Sequence, residues 1–251
     1  MLIGFPNNPS KNLYEELEWI ARNDFDFADL FLECPIFPEK INIARVRRIL
    51  ANGMSATGHM AWYLPTGSSE KAIRDSAIFE AETYFAVFEQ LSIGLVTVHA
   101  NWEPGLSESE CIKNQVASLK EMVKKAREYN IRLMYEPVDT PHDSLKNVAK
   151  VLDEVSGLLF HLDIGHANLH GRDPADFIEA FHRKLVHVHM HDNDGRSDLH
   201  MPLGHGSIDW PVLIDALKKR YNGTITLEIF SRDKEMVLKS RERLIELWEG
   251  K

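Results

Sequence analysis

Cysteine is nearly absent from this chain. Two thiols, Cys34 and Cys111, occur among 251 residues, and they do not form a Cys-x-x-Cys pair. They offer no disulfide framework, fit a reducing cytoplasm, and are expected to be buried or reduced side chains. Apolar runs of about 18 residues are lacking, which argues against a transmembrane helix. The opening stretch MLIGFPNNPS has no basic segment followed by an apolar one, so no signal peptide is expected. Basic charge is in deficit: 29 Lys and Arg face 38 Asp and Glu, a formal charge of −9. An acidic balance gives no general attraction to nucleic acid or to an anionic membrane. Linkers, low-complexity tracts and composition shifts are missing as well, so residues 1–251 are expected to form one domain.

What the chain does have is alternation. Short runs rich in Val, Ile, Leu, Phe or Thr read as strands covered on both faces: Leu2 to Phe5, Phe27 to Glu33, Met54 to Met60, Ile93 to Ala100, Ile131 to Pro137, Leu158 to His166, Leu185 to Asp192 and Thr224 to Phe230. Amphipathic stretches separate them. NLYEELEWIARND puts Leu13, Leu17 and Ile20 on one face, and the longest stretch, Ser69 to Leu91, steps through Ile73, Ala77, Ala81 and Phe85. ECIKNQVASLKEMVKKAREYN, SLKNVAKVLDEV, PADFIEAFHRK, WPVLIDALKKRY and EMVLKSRERLIELWEG carry similar stripes. Ser107, Asp173 and Asp209 are placed to cap helix starts, and Gly53, Gly94 and Gly223 to cap helix ends.

Successive strand–helix units fit either an open doubly wound sheet or a closed (β/α)8 barrel. Polar residues decide between them. Acids and histidines fall at the C-terminal ends of many different strands, the rim where barrels build their sites, whereas an open sheet gathers its site at one switch point. The expected fold class is therefore α/β, a single (β/α)8 TIM barrel.

The chain has 12 histidines, and their positions matter more than their number. His59 closes strand three, His99 strand four and Glu136 strand five. HLDIGHAN supplies Asp163 and His166, HVHMHDND supplies His187, His189, His191 and Asp192, SDLHMPLGHG supplies Asp198 and His200, and TLEIF supplies Glu228. Alternation puts His187, His189 and His191 on one face, with His187 deepest, and pairs His161 with Asp163. A lone histidine at a strand end is more often structural than a ligand. Nine ligand-type residues at neighbouring strand mouths are another matter, because crowded carboxylates repel and desolvate badly unless a cation joins them. Imidazole with carboxylate suits zinc, manganese, iron or cobalt better than magnesium. The bland alternative for Glu136 and Glu228 is a pair of rim salt bridges. His142, His170 and His182 are expected to face solvent. His205, between Gly204 and Gly206, fits a tight turn or a phosphate loop.

On HLDIGHAN, HVHMHDND, DLHMPLGHGSIDW and TLEIF, the chain resembles the xylose-isomerase-like barrel superfamily along essentially its whole length. That group includes sugar isomerases, ketose 3-epimerases, hydroxypyruvate isomerase, inosose dehydratase and the endonuclease IV class. Resemblance to the epimerase branch implies one metal held by Glu136, Asp163, His189 and Glu228, a substrate contact from His166, and Glu136 and Glu228 as the proton-transfer pair. Resemblance to the nuclease branch implies three zinc ions and adds His59, His99, His166, Asp198 and His200, with Asp198 and His200 matching its Asp-x-His. The implied cofactor is a divalent metal, zinc or manganese, with one to three ions.

Two functions follow as expectations. The first is isomerisation or epimerisation of a small sugar or sugar phosphate through an enediolate, with Trp62 and Trp102 as candidate pocket walls, or as packing residues, and Arg196 or Arg232 as candidate phosphate contacts. The second is phosphoester hydrolysis by clustered metals. Against a DNA substrate stand short, partly acidic loops and few basic residues near the mouth: Arg172, Arg196 and Arg232. A barrel retained only for binding is disfavoured by the complete ligand set. The sequence is compatible with a homo-oligomer and identifies no interface.

Overall fold

The computed structural model describes residues 1–51 and 53–250. Eight parallel strands close on themselves in chain order, β1 pairing with both β2 and β8. The strands are β1 Leu2–Pro6, β2 Phe27–Leu32, β3 Ser55–Met60, β4 Leu95–His99, β5 Arg132–Glu136, β6 Leu159–Asp163, β7 Leu185–Met190 and β8 Thr224–Leu227. Around them lie α1 Leu13–Arg22, α2 Ile43–Leu50, α3 Lys71–Gln90, α4 Glu108–Glu128, α5 Leu145–Glu154, a single turn α6 Ile164–Ala167, α7 Pro174–Phe181, α8 Trp210–Lys218 and α9 Lys234–Glu249. The expected barrel is what forms. Among the described residues no helix is long and apolar enough to cross a membrane.

Local chemistry sets the helix starts. Ser107 makes a capping box with Glu110, and Asp173 and Asp209 accept hydrogen bonds from Ala175 and Val212. The expected glycine caps need correction at two of three positions. Gly53 is left-handed at φ 95°, but ahead of β4 that conformation falls to Ser92 (φ 60°) rather than Gly94, and Gly223 is not left-handed. Helix α2 and the turn α6 have no counterpart in the sequence pattern: IARVRRIL shows Val46 and Ile49 inward between three arginines, too short a stripe to stand out.

Outward-facing strand residues such as Leu30, Leu32, Val96, Val98 and Val188 are fully or nearly fully buried beneath the helices, where Leu17, Ile20, Phe85, Phe88 and Leu119 meet them. The inside of the barrel is different. Instead of layers of branched apolar residues, its middle holds Asp29, Thr57, Thr97, His161, His187 and Thr226, all buried. They bond to one another: Thr57 Oγ1 donates to Asp29 at 2.8 Å, Thr226 Oγ1 to Asp29 at 3.1 Å, and Thr97 Oγ1 lies 3.0 Å from His161 Nδ1, while His161 Nε2 is buried without a partner. This polar layer is the floor on which the rim residues stand.

Candidate metal centre

Glu136, Asp163, His189 and Glu228 come together at the C-terminal end of the barrel, with one potential ligand atom from each lying within 4.8 Å of all the others. All four are buried. Parallel register delivers them, since Asp163 pairs with His189, and Glu136 with His99. Glu228 lies one residue past β8 but is still held to the sheet by its N–H on Met190 O at 3.1 Å. His59 and His99 close on the other side of Glu136, their Nε2 atoms 3.2 and 3.1 Å from its Oε2. A third group joins His166, His191, Asp198 and His200. Here Asp198 Oδ2 lies 2.8 Å from His200 and 3.5 Å from His166.

The imidazoles are aimed before any cation arrives. His189 Nε2 donates to Asp29 at 2.7 Å, which leaves Nδ1 facing Glu228 at 3.0 Å. His166 Nδ1 donates to Pro137 O and His200 Nδ1 to Glu228 O, leaving both Nε2 atoms for the Asp198 group. Tying one ring nitrogen to a fixed acceptor orients the other, as metal-binding histidines require. Asp163 does double duty: Oδ1 caps α6 by accepting from His166 N at 2.8 Å, while Oδ2 is buried without a hydrogen-bond partner. His59 Nδ1, His99 Nδ1 and Asp198 Oδ1 are also buried and unpaired. Buried polar atoms with no partner are costly, so the donor set fits a divalent cation.

Asp29 escaped sequence analysis because it sits inside the apolar run FADLFL. A carboxylate at an inward position of a barrel strand was the available signal. Asp29→Asn, which keeps the volume but weakens the acceptor for His189, is expected to lower metal affinity about 10–100-fold. Competition titration against a chelator checks this, and an unchanged constant would show that His189 needs no such partner.

Burial acts to raise the Glu136 carboxyl, but His161, His99, His189 and the His59 bond outweigh it and hold it well below the usual range. Asp163 is likewise held down by His166 and His191 against its burial. In the opposite sense, burial would lower His189, yet Glu228 and Glu136 raise it well above the ordinary value, and Glu228 and Asp198 lift His200 to about 9. In the metal-free protein, imidazolium protons therefore supply the positive charge that the carboxylates need.

Above the cluster opens a cavity of about 410 Å³ lined by Trp62, Trp102, Val138, Thr140 and Phe230, with His59, His99, Glu136, His166, Asp198, His200 and Glu228 from the ligand groups. Trp62, 60% exposed, forms its lip. Trp102 is fixed: its Nε1 donates to both oxygens of buried Asp143 at 3.0 Å, and Thr140 Oγ1 donates to the same carboxylate at 2.5 Å. Arg172 binds the carbonyls of Thr140, Asp143 and His166, so it ties loops together and is not positioned for substrate. Burial pushes the Asp143 carboxyl up to about 6 despite the Thr140 and Trp102 bonds and the Arg172 charge. The folded state then holds more protons than the unfolded chain below that pH, so this group's contribution to stability falls as pH rises toward and through 6. Relative to wild type, Asp143→Asn should gain about 1 kcal/mol between about pH 5 and about pH 7. Denaturant unfolding of both proteins across that range reads the difference, and parallel profiles would refute it.

The two arginines expected at the substrate do not reach this cavity. Arg196 is exposed in the loop after β7, and Arg232 lines a neighbouring groove with Cys34. His191 joins the third ligand group, whereas His187 stays deep, 3.3 Å from Asp29. Asp192 is structural: it accepts from Gly204 N at 2.9 Å and Trp210 Nε1 at 2.8 Å. That loop answers the question at His205, which is exposed. The Gly204 amide is taken by a carboxylate, and a Cβ on Gly206 would sit 2.2 Å from Asn193 O, so the glycines serve a tight turn. His142 and His170 are exposed as expected, and His182 is half-buried.

A closed parallel barrel with carboxylates and imidazoles on its C-terminal rim defines a class, and residues 17–247 match the xylose isomerase-like TIM barrel family: the chain belongs to it. Among individual proteins it is 33% identical over 175 residues to the uncharacterized protein MJ1311 of Methanocaldococcus jannaschii, covering 64% of this chain and 58% of that one. The chain thus spans little more than half the length of this relative. A D-tagatose 3-epimerase-like protein is 25% identical with a TM-score of 0.88, over 99% of this chain and 97% of its own. The IOLI protein, solved with a zinc atom, shares the fold with a TM-score of 0.85 at 16% identity, over 100% of this chain and 99% of its own.

Proposed function

We propose that this protein is a divalent-metal-dependent isomerase or epimerase of a small sugar or sugar phosphate. The observation that carries the reading is the four-residue cluster of Glu136, Asp163, His189 and Glu228 beneath a cavity of about 410 Å³, a volume in the range of small-molecule sites. Likeness to a D-tagatose 3-epimerase-like protein supports the same reaction class.

A cation held by those four side chains would polarise a ketose carbonyl and its neighbouring hydroxyl. One of Glu136 and Glu228 removes the proton from the carbon beside the carbonyl, giving an enediolate, and the same or the facing carboxylate returns it. His166 lies at the cavity wall, placed to bind a hydroxyl. Trp62 and Trp102 present apolar faces to the sugar ring, and the half-buried indole of Trp102 narrows the entry of water. Incubation with ketoses in heavy water tests the reading: deuterium should enter a carbon-bound position of at least one of them. A broad panel without exchange would count against proton abstraction.

A second reading, phosphoester hydrolysis by several metals, draws on two of the three further ligand groups, His59–His99–Glu136 and His166–His191–Asp198–His200. Near three zinc ions per chain by elemental analysis, together with cleavage of an abasic-site duplex, would favour it. About one ion per chain, without such cleavage, favours the isomerase.

A further inference from the structure

Among the described residues, those around the central cavity include Glu33, Glu136, Asp139, Asp198 and Glu228, but neither lysine nor arginine. Permanent positive charge lies next door. A second cavity of about 500 Å³, between the loops after β1, β2 and β8, holds Lys11, Arg232 and Lys234 against Glu16 and Glu33. Glu16 is shared by Lys234 at 2.9 Å and Lys11 at 3.9 Å, so one carboxylate faces two ammonium groups. Arg232 is exposed and has no ion-pair partner among the described residues. Glu33 and Phe230 line both cavities, which makes the two spaces neighbours across a single wall.

We propose that the substrate spans this wall: a neutral carbonyl and hydroxyl end in the central cavity, and a distal anionic group, phosphate or carboxylate, in the groove of Lys11, Arg232 and Lys234. This deepens the sugar reading and rests on it. The separation of charge is its physical basis. An anion placed beside five carboxylates would be repelled by them and would compete with the ligand residues for the cation, whereas the groove sets three cations against two carboxylates and offers an arginine fork suited to an oxyanion. Glu33, on the dividing wall, is placed to accept a hydroxyl from the middle of the molecule.

Calorimetric binding of D-fructose, D-fructose 6-phosphate and D-fructuronate to the metal-loaded protein tests the proposal, because it reads affinity and not turnover. At least one anionic probe should bind tenfold or more tightly than D-fructose, and which one does distinguishes phosphate from carboxylate. Lys11→Ala/Arg232→Ala, two exposed positions, should erase that preference while leaving D-fructose affinity and the melting temperature unchanged. Equal binding of all three probes, or none at all, overturns the proposal. So does a preference undiminished in the double variant, since two of the groove's three cations are then gone. Failure of hydrogen exchange in every ketose would instead undo the isomerase chemistry, leaving the anion preference to be read separately.

Discussion

Metal-free protein supplied with zinc or manganese at about a thousandfold excess over the dissociation constant should gain about 4 kcal/mol of unfolding free energy per tightly held ion. The reason lies in the buried charge. Glu136, Asp163 and His189 are no more than 1% exposed and Glu228 only 6%, and an acid cluster at that depth is stable only with cations or protons in it. A divalent ion replaces the protons that His189 and His200 otherwise hold, so binding should release protons and weaken steadily as the pH falls. Thermal melts with and without chelator, paired with elemental analysis, read the effect directly. A melting temperature indifferent to both metals, in protein that retains none, would sink the metal centre.

Replacing either proton-transfer candidate should have the other large effect. Glu228→Gln and Glu136→Gln keep the side-chain volume and remove the base, and removal of a positioned general base costs roughly 10²–10⁴-fold. Each residue is also a ligand candidate, so the deuterium-exchange rate must be compared at measured metal content. A variant that loads metal normally and loses exchange has lost proton transfer. One that loses both has lost the ligand first. Full exchange in both variants would remove these carboxylates from the reaction.

The barrel was legible because its signal is repeated: most of the short apolar runs carry a polar residue at or near their C-terminal ends, and a helical stripe follows most of them. The convergence of the candidate ligands was legible for the same reason, since Glu136, Asp163, His189 and Glu228 all fall at or near strand ends, where alternation fixes which way they point. What escaped depends on contacts between distant segments. Asp29 holds His189 from across the barrel, Asp143 holds Trp102 from the next loop, and neither partner can be read from spacing. Arginines were hard to place for the opposite reason: a long flexible side chain in a loop has no periodicity to locate it, and the structure makes Arg172 a tie between loops, leaves Arg196 exposed and sets Arg232 in the groove beside the central cavity. Glu33 was passed over as the last residue of a strand run, although it stands where two cavities meet.

Ring closure has one further consequence. Donors to the central cluster come from β5, β6, β7 and the end of β8, and β8 is held in place by pairing with β1. No contiguous fragment therefore carries a working set, and loss of the final βα unit would at once open the cylinder and remove Glu228. Moving the chain ends by circular permutation should, by contrast, be tolerated wherever the new ends fall on the face opposite the rim, because every strand keeps both of its partners. Closing the cylinder and gathering the four candidate ligands therefore depend on the same strand pairings.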